Sequence, residues 1–229
     1  MTRWEDLSEI LLVNKRMAQQ GSRCIRIISF LELVASFILA AMLTGCGATR
    51  ASKYYELTVP AVQSGAQTGD PGAATLLVAP LLAPHLYRED RIVYSTGEEE
   101  MGTYEYHRWV EPPTEMIQEV LLRELRASGR YKAVYAERSN ANGDFLIRGR
   151  LYEFKEVSGR ALLAKVSLEL EMREVKSGAM VWRHYYSHEE PVSGKDVSAV
   201  VAALDRNVQA GIKEMLASLD QYFAEHPFK

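Results

Sequence analysis

Cysteine is almost missing from this chain: its 229 residues include two, Cys24 and Cys46. Two thiols so placed make no zinc-ligand spacing. If Cys24 leaves with a cleaved leader, no pair remains for a disulfide, and stability has to come from packing. A membrane-spanning run is missing too. The apolar stretch Leu33–Leu43 is of signal-peptide length, whereas a crossing helix needs about 20 residues. Glu32 prevents its extension backwards, because a carboxylate at mid-bilayer depth is costly. Basic charge is not in excess: 27 Lys and Arg stand against 30 Asp and Glu. A nucleic-acid binder would carry a basic stripe, and that class is excluded. Catalytic signatures are lacking as well. There is no Gly-x-Ser-x-Gly elbow, no phosphate-binding glycine loop and no His-Glu-x-x-His. The chain does not read as an enzyme, and no metal or other cofactor is expected.

What is present starts with Leu43-Thr44-Gly45-Cys46, directly behind the apolar stretch. Small residues ending in a cysteine at this place form a bacterial lipobox. Cleavage before Cys46 would free its thiol to take lipid, palmitate among the acyl groups. Arg23 and Arg26 supply the positive segment ahead of the apolar one. Residues 1–16 are longer than such a segment requires, so Met17 is an alternative start. An uncleaved N-terminal anchor is the competing reading. Gly47, where an aspartate would signal inner-membrane retention, points to the outer membrane, facing the periplasm. The expected organisation is a signal peptide over 1–45, a lipidated tether over 46–53, one domain over 54–223 and a tail over 224–229. Without the leader's five basic and four acidic residues, 22 Lys and Arg face 26 Asp and Glu.

The mature chain reads as mixed α/β: two main helices packed on a mixed β-sheet. Strands are expected at Tyr54–Val59, Leu76–Ala79, Arg91–Tyr94, Thr103–His107, Tyr131–Ala136 and Phe145–Tyr152. Residues 60–73 are a polar, glycine-rich loop. Val166, Leu168, Leu170 and Met172 alternate with polar residues, the cleanest half-buried strand of the chain. Ser177-Gly178 turns it into Met180–His188 as a hairpin. One helix opens at Pro112-Pro113, carries Met116, Ile117, Val120, Leu121 and Leu125 at helical spacing, and stops at Gly129. A longer one, near 195–223, carries an apolar stripe from Val197 to Leu219.

Few residues suggest chemistry. His184 and His188 share a strand face but lie roughly 13 Å apart, too far for one ion. Glu98, Glu99 and Glu100 read as a solvated turn. Tyr104, Tyr106 and Trp109 read as core, with Trp109 fastening the start of the first helix to the sheet. The segment Leu81–Tyr87 leaves two readings open. Leu81, Leu82, Leu86 and Tyr87 either fold under the domain or present an apolar contact surface for a lipid or a protein partner.

Several segments, in order behind the lipobox, resemble the ABC-type transport auxiliary lipoprotein family, the PqiC-like lipoproteins. Lys53-Tyr54-Tyr55-Glu56-Leu57 is similar to the family's Tyr-Tyr-x-Leu opening strand, and Pro84-His85-Leu86 to its Pro-x-x-Leu segment. Arg91-Ile92-Val93-Tyr94 is similar to a family strand. Trp109-Val110-Glu111-Pro112 resembles the Trp-Ala-x-Pro that opens the first long helix, and Asp144 to Phe154 a further strand. Pro113 departs from the family's usual Leu. The resemblance implies a non-catalytic accessory of an ABC/MCE-type transport system. Such systems move phospholipids or other hydrophobic molecules across the cell envelope. The implied partners are an MCE-domain protein and an ABC-type permease, with self-association left open. The alternative is a structural or regulatory envelope lipoprotein that contacts an assembly or cell-wall machine.

Overall fold

A computed structural model describes residues 50–59, 74–97, 99–139 and 141–228. Leu43, Thr44, Gly45 and Cys46, the glycine-rich loop and Glu98 lie outside these residues. Among the described residues eight strands form one mixed sheet, and two helices pack on it, as the sequence pattern predicts. The strands are β1 (Lys53–Tyr55), β2 (Thr75–Val78), β3 (Arg91–Ser95), β4 (Met101–Trp109), β5 (Ala133–Ala136), β6 (Phe145–Ser158), β7 (Leu162–Glu174) and β8 (Met180–Pro191). The helices are α1 (Pro113–Ala127) and α2 (Val197–Glu225).

β6 organises the sheet. Along one edge it pairs antiparallel with β7, which pairs antiparallel with β8. Its other edge is shared. Near its start Phe145–Ile147 pair in parallel with β2, and near its end Glu156 and Val157 pair in parallel with β3. β2 carries β5 on its far side, while β3 carries β4 and then β1. The sheet therefore forks into two arms along one strand.

Two strands depart most from the sequence pattern. β1 is only three residues long, because the chain leaves the sheet after Tyr55 and turns to α2. There the Thr58 N–H donates to Asp205 Oδ1 at 3.0 Å, and Gln209 Nε2 donates to the Thr58 carbonyl at 2.6 Å. β6 runs to Ser158, well past Tyr152. The register slips between Leu151 and Glu153. Tyr152 is left exposed and Phe154 returns to the core, so the alternation breaks in mid-strand.

α1 begins as its prolines dictate. Pro112 precedes the helix and Pro113 takes its first position, where the missing N–H has no helical partner to lose. Trp109 is 1% exposed and lies on Phe154, with ring centroids 5.3 Å apart. It ties the entry of α1 to the sheet. Gly129, at φ 63°, follows the helix in a conformation that favours glycine.

α2 is capped by Asp196, whose side chain accepts from the Ala199 N–H at 3.0 Å. It packs across β7 and β8 and touches α1. The apolar stripe holds one polar residue, Asn207, which is 1% exposed. Asn207 Nδ2 donates to the carbonyls of Ala164 (2.9 Å) and His188 (3.0 Å). Its Oδ1 accepts from the Tyr186 hydroxyl at 2.7 Å. One amide thus joins the helix to both strands beneath it. One turn further on, Gly211 lets the helix approach the Tyr186 ring, which a Cβ there would meet at 2.6 Å.

The sheet face away from the helices is polar. At its centre the Glu153 carboxylate receives Lys155 (2.9 Å), Lys165 (3.2 Å) and the Ser167 hydroxyl (3.1 Å). Burial alone would raise the pKa of Glu153. The hydrogen bonds from these three groups outweigh it and hold the carboxyl below its ordinary value.

Candidate partner-docking site

The segment after β2 is part of the sheet rather than a free loop. The Ala79 N–H donates to the Ile147 carbonyl and the Leu82 N–H to the Gly149 carbonyl, both at 2.9 Å. The Leu151 N–H donates to the Leu82 carbonyl at 2.8 Å. Residues 79–82 thus continue along β6 in the fork between the two arms. Extended backbone sends neighbouring side chains to opposite sides. Leu81 turns inward, 6% exposed, and Leu82 outward, 58% exposed. Gly149 makes room for Leu81, because a Cβ there would run into the Leu81 side chain.

A 3-10 turn at His85–Arg88 follows. It buries Tyr87 and lays Leu86 half-buried against the core. Burial pushes the Tyr87 phenol up to about 12, although a backbone hydrogen bond with Phe154 works the other way. Of the four candidate contact residues, Leu81 and Tyr87 are core, Leu86 is half-buried, and Leu82 faces solvent. Hydrogen bonding of the segment to β6 is the reason, and periodicity cannot reveal it.

Beside Leu81 opens a cleft of about 630 Å³. Glu115, Gln118, Glu119 and Arg123 of α1 line it, as do Glu56, Val59, Val110 and Glu111 from the ends of β1 and β4. Glu137 and Arg138 join from the 3-10 turn after β5. The buried side chains of Leu81, Met116 and Leu122 give the cleft an apolar base. Five glutamates stand here against two arginines. The Arg123 guanidinium donates to Glu119 at 2.8 Å, which leaves the remaining balance negative. Thr114 also lines the cleft. It is 7% exposed, and among the described residues its hydroxyl has no hydrogen-bond partner.

Sequence reasoning did not single out this constellation. The usable signal was the four-residue spacing of Glu111, Glu115 and Glu119, which aligns carboxylates along one side of α1 and its entry. Glu56 and Glu137 join them only through the fold.

The other residues considered earlier stay apart. His184 Nε2 lies 3.0 Å from Glu214, and His188 lies 3.9 Å from Glu190. Glu100 accepts from the Thr96 hydroxyl at 2.9 Å in the β3–β4 turn. The Tyr104 hydroxyl donates to buried Glu156 at 2.7 Å. Burial first, and that carboxylate second, push the Tyr104 phenol far above its ordinary value.

Among the described residues, a mixed sheet carries two helices and frames a lined cleft. The chain belongs to the family of ABC-type transport auxiliary lipoprotein components, whose model matches residues 55–215. That family is described by its place beside a transporter and not by a reaction. Among solved structures, the chain is similar to the Xanthomonas campestris protein XCC0632, of family DUF330. The two are 21% identical with a TM-score of 0.62, over 72% of this chain and 92% of that one. An uncharacterized protein matches at 13% identity and a TM-score of 0.59, over 74% of this chain and 99% of that one. At these identities the likeness is one of fold. Lipoprotein GNA1162 from Neisseria meningitidis matches more loosely, at 13% identity and a TM-score of 0.39, over 63% of this chain and 99% of that one. No protein of curated function matches the chain.

Proposed function

We propose that this protein is a membrane-anchored periplasmic accessory of an ABC/MCE-type system that moves phospholipids or other hydrophobic molecules across the cell envelope. Its anchor is lipid on Cys46, and its site of residence is the outer membrane. Its partners are an MCE-domain protein and the permease, and it performs no chemistry of its own. One observation carries this reading: the family match over residues 55–215 stands directly behind the lipobox Leu43–Cys46.

Chain length supports it. Seven residues, 47–53, lead from Cys46 to the start of β1, where it joins β4, and fully extended they reach roughly 23–25 Å. The folded domain would work close to the bilayer. One acyl chain holds a protein marginally, whereas two or more hold it stably. Leu82, the exposed residue of its segment, is the best placed of the apolar candidates for contact with a partner or lipid.

The test is isolation of the tagged protein from its own cells, beside Cys46→Ser. The wild type should fractionate with the outer membrane, carry an acylated N-terminus by mass spectrometry and bring the MCE-domain protein and permease with it. Cys46→Ser should leave precursor or a soluble species and abolish transport. An unmodified N-terminus in the wild type refutes the anchor. Absence of both transporter components refutes the accessory role.

A further inference from the structure

We infer that the cleft beside α1 receives a basic, partly apolar peptide segment of a partner protein, with a lysine or arginine side chain lying over its base. This rests on the proposed transport role only for the partner's membership of the transport system.

Three observations converge. The first is charge without a structural use. Glu56, Glu111, Glu115 and Glu137 all line the cleft, and among the described residues none of them forms a salt bridge. All four are exposed, and together they set a negative field that attracts a cationic group from outside. The second is Thr114, a residue 7% exposed whose hydroxyl has no hydrogen-bond partner among the described residues and stays open to the cleft it lines. An ammonium or guanidinium, which only donates, suits its free lone pairs. The third is the apolar base formed by Leu81, Met116 and Leu122. Lysine and arginine bury aliphatic stems on such a surface while their charged ends reach carboxylates. The volume, about 630 Å³, lies within the range of ligand pockets and accommodates side chains of a peptide.

The same features argue against a phospholipid headgroup. Its phosphate would enter a field of like sign. Arg123 is already engaged with Glu119, which leaves Arg138 alone to receive it. The cleft is therefore a place for a partner and not for an anionic cargo.

The experiment has two arms. In the first, the full chain in a nonionic detergent is titrated into a fluorescein-labelled dodecapeptide of alternating lysine and leucine, and binding is read by anisotropy. A glutamate and leucine counterpart is the control. The lysine peptide should bind and the control should not. Glu56→Gln with Glu115→Gln should weaken binding by about tenfold or more. Thr114→Val should weaken it several-fold without lowering the melting temperature, which separates lost recognition from lost folding. Affinity equal in the wild type and the double variant places the peptide on the micelle and overturns the proposal. So does binding of labelled, monomeric dihexanoyl-phosphatidylglycerol that the same double variant weakens, which would make the cleft a lipid site. Spermidine binding as tightly as the peptide would make it a small-cation site and overturns peptide docking.

In the second arm, wild type and double variant are recovered from cells and scored for the transporter components. Components held by the wild type and lost by the variant support the inference. Components held by both overturn docking through this cleft while the transport role stands. Components held by neither refute the transport role, and the peptide arm alone then decides the cleft.

Discussion

Asn207→Ala should cost about 3–5 kcal/mol of stability. The amide makes three hydrogen bonds at 2.7–3.0 Å, two given and one received, and the residue is 1% exposed. A hydrogen bond made in the fold contributes roughly 1 kcal/mol net, but a buried partner left unsatisfied costs about 1–3 kcal/mol. Alanine strands the Ala164 carbonyl and leaves the Tyr186 hydroxyl only its longer bond, 3.3 Å, to the backbone carbonyl of residue 207, while the His188 carbonyl is only part-buried and water can reach it. The better helix propensity of alanine returns a few tenths of a kcal/mol, too little to reverse the sign. Urea unfolding followed by far-UV circular dichroism is the assay. The midpoint should fall while the slope stays fixed, since the surface exposed on unfolding is unchanged. Tyr186→Phe removes only the hydroxyl and should cost about 1 kcal/mol. The double variant should fall short of the sum of the singles by about 1 kcal/mol, because both delete one shared bond. A loss below about 1 kcal/mol for Asn207→Ala, or strict additivity of the pair, would refute the view that this amide ties helix to sheet.

Trp109→Ala should cost about 3–5 kcal/mol, as expected for a fully buried aromatic, and an unmoved thermal midpoint would remove it from the core. Gly211→Ala should destabilise by about 1–3 kcal/mol, because the Tyr186 ring blocks the new methyl group and that overpacking exceeds the gain in helix propensity of about 1 kcal/mol; a stabilised variant in urea titration would show that the ring moves aside. Glu153 has a folded pKa below its ordinary 4.5, so the stability it contributes is complete above that pH and is lost as pH falls through the folded value; Glu153→Gln should flatten this acid limb in midpoints measured from pH 6 downwards, and an unchanged slope would contradict the assignment. Leu82→Ser should shift stability by no more than about 0.5 kcal/mol, since the side chain is 58% exposed, yet reduce recovery of the transporter components on co-purification; full recovery would make the residue incidental.

The fold was largely legible because most strands and both helices obey simple periods. Val166 to Met172 alternate without a break, and α1 and α2 carry their apolar residues at helical spacing. The end of β6 was hidden by the slip at Tyr152, which breaks the alternation on which recognition depends. The burial of Leu81 and Tyr87 was illegible for another reason: whether an apolar loop lies on a surface or inside a fork is decided by its backbone partners, here Ile147 and Gly149. The cleft was legible in fragments only. Glu111, Glu115 and Glu119 sit at regular spacing, but Glu56 and Glu137 approach them through the pairing of distant strands. Asn207 reads as a polar flaw in an apolar stripe until the carbonyls of Ala164 and His188 are seen beneath it.

The fork along β6 also sets an order of assembly. During synthesis from the N-terminus, β2 has no strand to pair with until the chain has passed α1, because β5 and β6 both follow that helix. By contrast, β6, β7 and β8 are consecutive antiparallel neighbours, and α2 packs on them directly afterwards. Local contacts of this kind form early, whereas pairings across long loops are slow. The two arms should therefore dock last, onto a meander already in place. A chain cut before Phe145 would hold Leu76 and Val78 on an edge without its central strand, prone to pair with another copy.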